Sequence, residues 1–142
     1  MSKLLTPLEF QRGRPMKNRF MLAPLTNWQS HEDVILSEEF HWLTKRAEGG
    51  FGLTMTCAAR VQEICKGFPG QLGVFGDQDI EGLSSLAEVI KSAGSIANAQ
   101  LHYAGMQSLG KIIGQALVSA SDDEETGARS LSTDQVHQLR SA

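Results

Sequence analysis

The stretch that decides the fold is Gln100-Leu101-His102-Tyr103-Ala104-Gly105-Met106-Gln107. It follows a run of small and apolar residues, Ile96 to Ala99, and changes abruptly to an amide, an imidazole, a phenol and a glycine. A short apolar segment predicts a buried strand, and the carboxyl ends of parallel strands face ligands and catalytic groups in α/β proteins. We therefore expect a buried parallel strand that ends at a functional site.

Three apolar segments have the length and composition of buried strands. They are Phe20–Leu25, Phe51–Cys57 and Ser95–His102. Pro24 lies near the end of the first segment, where the loss of a backbone N–H is tolerated. Before these segments, Gln11–Pro15 separates two extended pieces and predicts a small hairpin.

Helical patterns lie between these strands. The first begins at Ser37, a hydroxyl cap followed by two acids, and ends at Gly49. The second begins at Asp79 as its cap and ends at Gly94. The residues expected on its apolar face are Ile80, Leu83, Ala87 and Ile90. A capping box at Ser132–Gln135 predicts the start of a third helix. The order of hairpin, βαβαβ and opening helix predicts parallel strands with right-handed crossovers.

Composition excludes several classes of protein. The 142 residues have a net charge of -3 with 13 scattered Lys and Arg, so we expect no nucleic-acid partner. No apolar window approaches the roughly 18 to 20 residues of a membrane span, and no signal peptide is evident, so we expect a cytoplasmic protein. Cys57 and Cys65 lack the spacing of a redox or zinc site and are expected to be thiols, with no metal site. The acidic run Asp122–Glu125 is expected to be a solvated loop.

The strand ends bring a distinctive set of residues to one edge of the predicted sheet. Parallel strands would place Ala23–Thr26 from the first strand beside Cys57–Arg60 from the second and Gln100 from the third. Small side chains, a proline, a hydroxyl and an amide form a shallow floor for a flat ligand. The amide of Gln100 can both donate to and accept from a pyrimidine edge.

Each of these residues also has an ordinary structural explanation. Gln100 at a strand end could bond to a loop, Thr26 could be a turn residue, and Ala58 alone indicates only tight packing. His102 is either a hydrogen-bonded histidine or a catalyst. The residues alone leave these alternatives open.

The aromatic and charged residues are equally ambiguous. Tyr103 and Trp28 either anchor loops or stack on a ligand. Arg60 is expected to be a solvated charge. The sequence lacks the GxSxG, GxxxxGK[ST], HExxH and GxGxxG motifs that mark common catalytic and phosphate sites.

Several motifs together resemble a known family. They are Lys17-Asn18-Arg19 followed by Met21-Leu22-Ala23-Pro24-Leu25-Thr26, the Phe40 to Gly50 helix, Ala58, Gln100-Leu101 and Ala104-Gly105. Their order and spacing, over nearly all 142 residues, are similar to the amino-terminal part of Old Yellow Enzyme type flavin oxidoreductases. The resemblance implies an eightfold β/α (TIM) barrel with FMN at the carboxyl end of its strands. In that family NADH or NADPH reduces the flavin, which then delivers hydride to an activated alkene such as an enone.

The resemblance assigns roles residue by residue. The residues that would border the isoalloxazine ring are Ala23, Pro24, Leu25 and Thr26. Thr26 would also tune the flavin by bonding near its N5 and O4 edge, Ala58 would contact the ring through its backbone, and Gln100 would bind the pyrimidine part. Trp28 would help to shape the substrate pocket.

Two departures from the family pattern are apparent. The family commonly shows Gln-Leu-x-His-x-Gly-Arg, whereas here Tyr103 and Met106 stand at the His and Arg positions and His102 lies one residue earlier. His102 and Tyr103 are assigned to the substrate pocket, without a more specific role. The family's substrate-orienting His pair, proton-donating Tyr and phosphate-binding loops belong to later parts of the barrel.

We therefore expect residues 1–142 to form a partial TIM-barrel domain, incomplete at its carboxyl end: a hairpin, three parallel strands, two crossover helices and the start of a third. A complete barrel typically needs about 250 residues. The first hypothesis is an FMN-dependent ene-reductase-like oxidoreductase whose amino-terminal part, alone, is inactive and binds FMN poorly. The alternative is a non-catalytic partial barrel that pairs its open edges in a homo-oligomer or with another chain.

Overall fold

The structure is a computed structural model that describes residues 3–109, 114 and 116–141. The helices and strands are β1 (Met21–Leu22), α1 (Ser37–Glu48), β2 (Leu53–Arg60), α2 (Ile80–Ser92), β3 (Ile96–His102), β4 (Val118–Ser119), β5 (Arg129–Ser130) and α3 (Thr133–Ser141). Short 3-10 turns occur at Lys3–Leu5, Glu63–Cys65, Asp77–Asp79 and Gly105–Gln107. The predicted α/β fold class is confirmed.

The main sheet has the predicted topology. Strands β1, β2 and β3 lie in that order, and both pairs are parallel. Helices α1 and α2 connect them, as the sequence predicts. The hairpin before β1 is reduced to one antiparallel bridge, in which Leu8 and Met16 exchange backbone hydrogen bonds of 3.0 Å.

The predicted first strand is too long. Its pairing with β2 ends at Leu22, so Ala23–Leu25 lie outside the sheet. Pro24 has no backbone N–H to contribute to a ladder, and the strand ends just before it. By contrast, β2 continues three residues beyond the predicted end and reaches Arg60.

The core lies between the two helices and the sheet. Leu43 and Ala47 of α1 pack with Leu86 and Ile90 of α2 around Leu22 of β1, and all five are buried. A smaller apolar cluster, formed by Cys57, Ala59 and Leu72, fixes the loop after β2 against the sheet. The two clusters hold the carboxyl ends of β1 and β2 at one edge.

The apolar face predicted for α2 lines an open groove beside β3. Leu83, Ala87 and Ile90 border the groove together with Ile80, which is 58% exposed at the first turn. On β3 itself, Leu101 is 67% exposed. Among the described residues, β3 has a neighbouring strand on one side alone, and the groove follows from that open edge.

The predicted hydroxyl cap of α1 is wrong, and the predicted cap of α2 is confirmed in position but makes no side-chain hydrogen bond to the helix. The N-cap of α1 is Leu36, and the Ser37 hydroxyl donates instead to the Glu38 carboxylate at 3.0 Å. Asp79 occupies the N-cap of α2, but its Oδ2 accepts hydrogen bonds from the preceding loop at Phe75 N (3.2 Å) and Gly76 N (3.3 Å). Local sequence cannot distinguish these uses of a short polar side chain.

The capping box predicted at the start of the third helix is confirmed. The backbone N–H of Gln135 donates to Ser132 Oγ at 3.3 Å, and the backbone N–H of Ser132 donates to Gln135 Oε1 at 3.1 Å. Before this helix, β4 and β5 form a short parallel pair that the sequence did not predict. The acidic residues of the intervening loop help to order it: Asp122 Oδ1 accepts from Ser130 N at 2.6 Å and Asp123 Oδ1 from Thr126 N at 2.7 Å.

Both cysteines are free thiols, as predicted, and both are buried. Burial and the nearby Glu39 carboxylate raise the pKa of Cys57 from 9.0 to about 12. Glu39 is itself fully buried and accepts a hydrogen bond of 2.9 Å from the Ser30 hydroxyl. A thiolate at position 57 is therefore strongly disfavoured in the folded chain.

This raised pKa predicts a loss of stability in alkaline solution. Between pH 9 and about 12 the Cys57 thiol ionises in the unfolded chain but not in the folded chain, so the free energy of unfolding falls as pH rises. From pH 8 to pH 10.5 this contribution amounts to about 2 kcal/mol. Urea denaturation at both pH values should show this loss for the wild type and a smaller one for Cys57→Ala. Equal losses in the two proteins would contradict the assignment.

Candidate functional site

The carboxyl ends of β2 and β3 place two predicted site residues side by side. Ala58 pairs directly with Gln100 across the ladder, and Arg60 pairs with His102. The ladder is irregular just before this point, with a bulge between Met55 and Ala58. The site therefore begins where the regular hydrogen-bond pattern of the sheet is interrupted.

The bulge fixes the position of Gln100. At the bulge the Thr56 hydroxyl donates to the Cys57 carbonyl at 2.8 Å, and its oxygen accepts from the backbone N–H of Gln100 at 3.3 Å. A side chain thus satisfies a backbone donor that the irregular ladder does not pair. Thr56 was not identified from the sequence, where it is one of several threonines in an apolar segment.

The residues predicted from the first strand lie at the same edge of the sheet. Thr26 and Ala58 each lie four residues beyond the last pair of β1 and β2, Leu22 with Thr54. Ala23, Leu25 and Thr26 are exposed and Pro24 is half-buried.

The polar groups of this edge are available to a ligand. Within the described part of the chain, neither the Thr26 hydroxyl nor the Gln100 carboxamide has a hydrogen-bond partner. The Ala58 side chain is small and buried. One hydroxyl, one amide and a small-residue backbone can bind the polar edge of a flat heterocycle.

His102 is the more constrained of the two residues assigned to the substrate pocket. Its ring Nδ1 lies 3.1 Å from Nε2 of Gln71, a fully buried residue in the loop after β2. Its backbone carbonyl accepts from Val61 N at 3.2 Å and from Cys65 Sγ at 3.7 Å. Of the alternatives left open by the sequence, the structure shows a hydrogen-bonded histidine at this position.

Tyr103 and Trp28 differ in burial. Tyr103 is half-buried, and burial, with a smaller effect of Cys65, raises the pKa of its phenol above 10.0. It therefore remains a protonated donor at neutral pH. Trp28 is 62% exposed and has a left-handed backbone, with φ of 55°.

The loop that carries Trp28 packs against the loop after β2. A Cβ at Gly70 would lie 2.6 Å from the Trp28 carbonyl oxygen, so only glycine permits this approach. The Gly70 φ of 65° is also unfavourable for other residues. The Gly70 carbonyl accepts from Ser30 N at 3.1 Å, which joins the two backbones.

The expectation that Arg60 is solvated is wrong. Arg60 is 4% exposed, and its guanidinium forms a bidentate ion pair with the Asp33 carboxylate. The distance from Arg60 Nε to Asp33 Oδ1 is 2.8 Å. Arg60 Nη1 also donates to the Glu63 carbonyl, and Arg60 Cζ lies 4.7 Å from the centre of the Phe75 ring. Arg60 is therefore a structural residue that holds the loops in place.

Asp33 extends this connection between the first and second loops. Its backbone carbonyl accepts from Gly73 N at 2.7 Å, and Lys66 Nζ lies 3.6 Å from its carboxylate. Neither Asp33 nor Gln71 was predicted as a functional or structural residue. Arg60 lies 27 residues from Asp33, and His102 lies 31 residues from Gln71; no local pattern marks such pairs.

The pattern that describes the NADH:flavin oxidoreductase / NADH oxidase family matches residues 3–141, almost the entire chain. The chain belongs to this family. The resemblance predicted from the sequence is thereby confirmed, and so are the predicted cofactors: the family uses FMN, with NADH or NADPH as the hydride donor.

Relatives in the family are considerably longer than this chain. A probable NADH-dependent flavin oxidoreductase of Bacillus subtilis, YqiG, is 33% identical over 141 residues, which cover 96% of this chain and 38% of that protein. The NADH:acrylate oxidoreductase of Vibrio harveyi is 34% identical over 105 residues, 74% of this chain and 10% of that protein. The chain thus spans a minor part of the length of these relatives.

A solved structure shows where the chain lies in the family fold. The old yellow enzyme homologue from Zymomonas mobilis superimposes with a TM-score of 0.86 at 23% identity, over 97% of this chain and 42% of that one. The chain matches the amino-terminal part of the family's TIM barrel. The predicted fold is confirmed at this level.

The described residues fit the flavin that the family uses. A flavin's pyrimidine edge alternates carbonyl and N–H groups, and the unpartnered Gln100 amide offers both complementary functions. The Thr26 hydroxyl supplies a further donor. No group of His, Cys, Asp and Glu in the described ranges is arranged to hold a metal ion, and no helix there is long and apolar enough to cross a membrane.

The buried ion pair predicts a large effect of a small substitution. Asp33→Asn keeps the shape of the side chain but leaves the Arg60 charge buried and unpaired, so the free energy of unfolding should fall by about 3 to 5 kcal/mol. Urea denaturation followed by circular dichroism measures this change. Asp134→Asn, at an exposed position of α3, is the control and should change stability by less than about 0.5 kcal/mol. Similar stabilities for the two variants would refute the role of the pair.

Proposed function

We propose that this chain forms the amino-terminal part of an FMN-dependent oxidoreductase that transfers hydride from NADH or NADPH, through the flavin, to an activated alkene. The observation that carries the proposal is the pairing of Ala58 with Gln100 at the strand ends of a chain of the flavin oxidoreductase family, with no hydrogen-bond partner for the Gln100 carboxamide among the described residues. Residues 1–142 are accordingly one part of a larger barrel domain.

The roles of the chain's own residues follow from their chemistry. Gln100 binds the pyrimidine part of the flavin through both functions of its amide, while Ala58 lets the backbone approach the ring. Ala23, Pro24 and Leu25 provide the apolar border. Bound FMN supplies the chemistry of accepting and donating a hydride.

Thr26 is proposed to tune the flavin. A hydroxyl that donates to the N5 and O4 edge stabilises electron density added there, so it favours the reduced cofactor. The exposed position of the Thr26 side chain and its lack of a partner among the described residues support this role.

The substrate pocket is proposed to include Trp28, His102 and Tyr103. An exposed indole can cover an apolar substrate, and a protonated phenol and an imidazole can donate hydrogen bonds. The similarity to a protein named as an NADH:acrylate oxidoreductase supports an alkene substrate, since acrylate contains a carbon–carbon double bond activated by a carboxylate. A cytoplasmic location belongs to the same proposal and is supported by the two free cysteines, which reducing compartments maintain.

A second candidate is a partial barrel without catalysis that binds another chain or a second copy of itself. Two observations favour it: the open groove between α2 and β3, where Ile80 is exposed, and the exposed Leu101 on β3 itself. Apolar residues along a free strand edge favour association with another polypeptide. In the first hypothesis, the remainder of the barrel fills the same place.

A chimera tests the proposal. Residues 3–141 would replace the matched segment of the Bacillus subtilis relative, which supplies the rest of the barrel. We expect the purified chimera to retain FMN and to oxidise NADH when an enone is added, with flavin absorbance and NADH consumption as readouts. A chimera that folds but binds no FMN would sink the flavin proposal. If the 142-residue chain alone binds no FMN and forms a stable dimer in light scattering, the second candidate gains support.

Replacement of Gln100 tests the site itself. In the chimera, Gln100→Ala should weaken FMN binding by about 1 to 3 kcal/mol, because the polar edge of the ring loses its partner. Fluorescence titration measures the dissociation constant, which should rise roughly 5- to 150-fold. Gln11→Ala is the matched control, because Gln11 is an exposed glutamine that precedes β1 in the chain, whereas Gln100 lies near the carboxyl end of β3. Unchanged affinity in Gln100→Ala would contradict the assigned role.

A further inference from the structure

Gln71 contacts two of the proposed site residues although it was not among them. It lies in the loop after β2 and is 0% exposed. Its Nε2 donates to the Ala58 carbonyl at 2.9 Å and lies 3.1 Å from His102 Nδ1, while its Oε1 accepts from Gly67 N at 2.7 Å. One buried amide therefore links β2, the loop after β2 and the end of β3.

The contacts determine which way the amide faces. The Gly67 backbone N–H can only donate, so it must meet the oxygen of Gln71, and the Ala58 carbonyl can only accept, so it must meet the nitrogen. Both amide hydrogens are then directed to acceptors, one at Ala58 and the other at His102. A reversed amide would place two donors together at Gly67 and two acceptors together at Ala58.

This orientation determines the tautomer of His102. Because the Gln71 nitrogen has no lone pair to offer, Nδ1 of the imidazole must accept the hydrogen bond. The ring proton of the neutral imidazole is then on Nε2. In the part of the chain that the structure describes, Nε2 has no hydrogen-bond partner of its own.

The ring is also restrained by packing. A Cβ at Gly67 would lie 3.2 Å from Cε1 of His102, so the space between the loop and the ring edge is too narrow for an unstrained side chain. The backbone carbonyl of His102 is bound by Val61 and Cys65 of the same loop. Rotation of the imidazole by half a turn about its Cβ–Cγ bond would place the carbon Cδ2 where Nδ1 now lies, and the hydrogen bond from Gln71 would be lost.

We propose that Gln71 is a positioning residue that fixes the Ala58 carbonyl and holds His102 as the neutral Nε2–H tautomer. His102 then offers the site an N–H donor at Nε2 and no lone pair there. This N–H group can donate to an oxygen acceptor on a ligand, such as a carbonyl or carboxylate. His102 cannot act as a base through Nε2, because that nitrogen already carries the proton. The assignment of this donor to a flavin and substrate site rests on the proposed function.

The tautomer can be measured without any cofactor. Long-range proton–nitrogen correlation spectra of the 142-residue chain at pH 8 distinguish a ring nitrogen that carries a proton from one that does not. The chain has four histidines, and His102→Asn identifies the His102 signals by their loss. We expect His102 Nδ1 to be unprotonated and Nε2 to carry the proton. A protonated Nδ1 in the wild type would overturn the proposal whether or not any variant folds.

Two substitutions separate positioning from a merely structural role. In Gln71→Glu an ionised carboxylate facing Nδ1 can only accept, so the proton should move to Nδ1, which reverses a preference for Nε2–H that we expect Gln71 to strengthen roughly tenfold. In Gln71→Met the preference should fall to the modest Nε2–H preference of a histidine free in water, and the control Gln11→Met should keep the wild-type preference. An unchanged His102 tautomer in a folded Gln71→Glu protein would contradict the proposal, because loosened packing alone predicts no reversal.

The proposal for Gln71 and the proposed flavin function can fail independently of each other. If the chimera binds no FMN while the wild-type chain shows the Nε2–H tautomer, the flavin proposal fails and the role of Gln71 toward His102 stands. If the chimera binds FMN and His102 carries its proton on Nδ1, the role of Gln71 fails and the flavin proposal stands. In a flavin-binding chimera, Gln71→Met should also weaken FMN binding roughly tenfold relative to Gln11→Met, because the Ala58 carbonyl loses its partner.

Discussion

The buried ion pair between Asp33 and Arg60 is the constraint on which the arrangement of the strand ends depends. Arg60 is the last residue of β2, and Asp33 belongs to the loop after β1. A guanidinium removed from water requires a charged partner and acceptors for its remaining N–H groups, which Asp33 and the Glu63 carbonyl supply. The two loops cannot separate without leaving a charge uncompensated in a poorly hydrated environment. The ion pair thus fixes the relative position of the loops that carry Trp28 and Gln71.

The connection to the third strand uses neutral hydrogen bonds. Gln71 and Cys65 of the second loop contact the ring and the backbone carbonyl of His102, respectively. A side-chain amide whose oxygen and nitrogen are both hydrogen-bonded fixes the positions of its partners, and its burial does not carry the desolvation cost of a charged group. The strand ends are therefore held by an ion pair on one side and by neutral hydrogen bonds on the other. The side-chain polar groups of Thr26 and Gln100 have no partner in the described part of the chain and can meet a ligand.

Much of this architecture could be predicted from the sequence because it depends on local patterns. Apolar segments located β2 and β3, and the Ser132–Gln135 capping box located the start of α3. The misjudged features depend on distant partners. Arg60 was expected to be a surface charge because its partner Asp33 lies 27 residues away, and no local pattern connects the two residues. Ala58 and Gln100, on the strands, could be identified by comparison with family motifs, whereas Gln71, the loop residue that contacts Ala58 and His102, could not.

The bulge in β2 has a consequence for how the site can change over evolution. Before it, each β2 residue is paired with the β3 residue 43 positions later, as Leu53 is with Ile96; after it the offset is 42, as for Ala58 and Gln100. With the first offset maintained, Ala58 would lie opposite Leu101, a leucine in place of the amide. Because the extra residue lies on β2, loss of one residue within the bulge would restore a regular ladder with Ala58 still opposite Gln100, whereas a slip of the whole ladder by one residue would exchange the polar neighbour for an apolar one and invert the faces of the strand. The bulge is therefore the place where β2 can change in length without changing the pairing at the site.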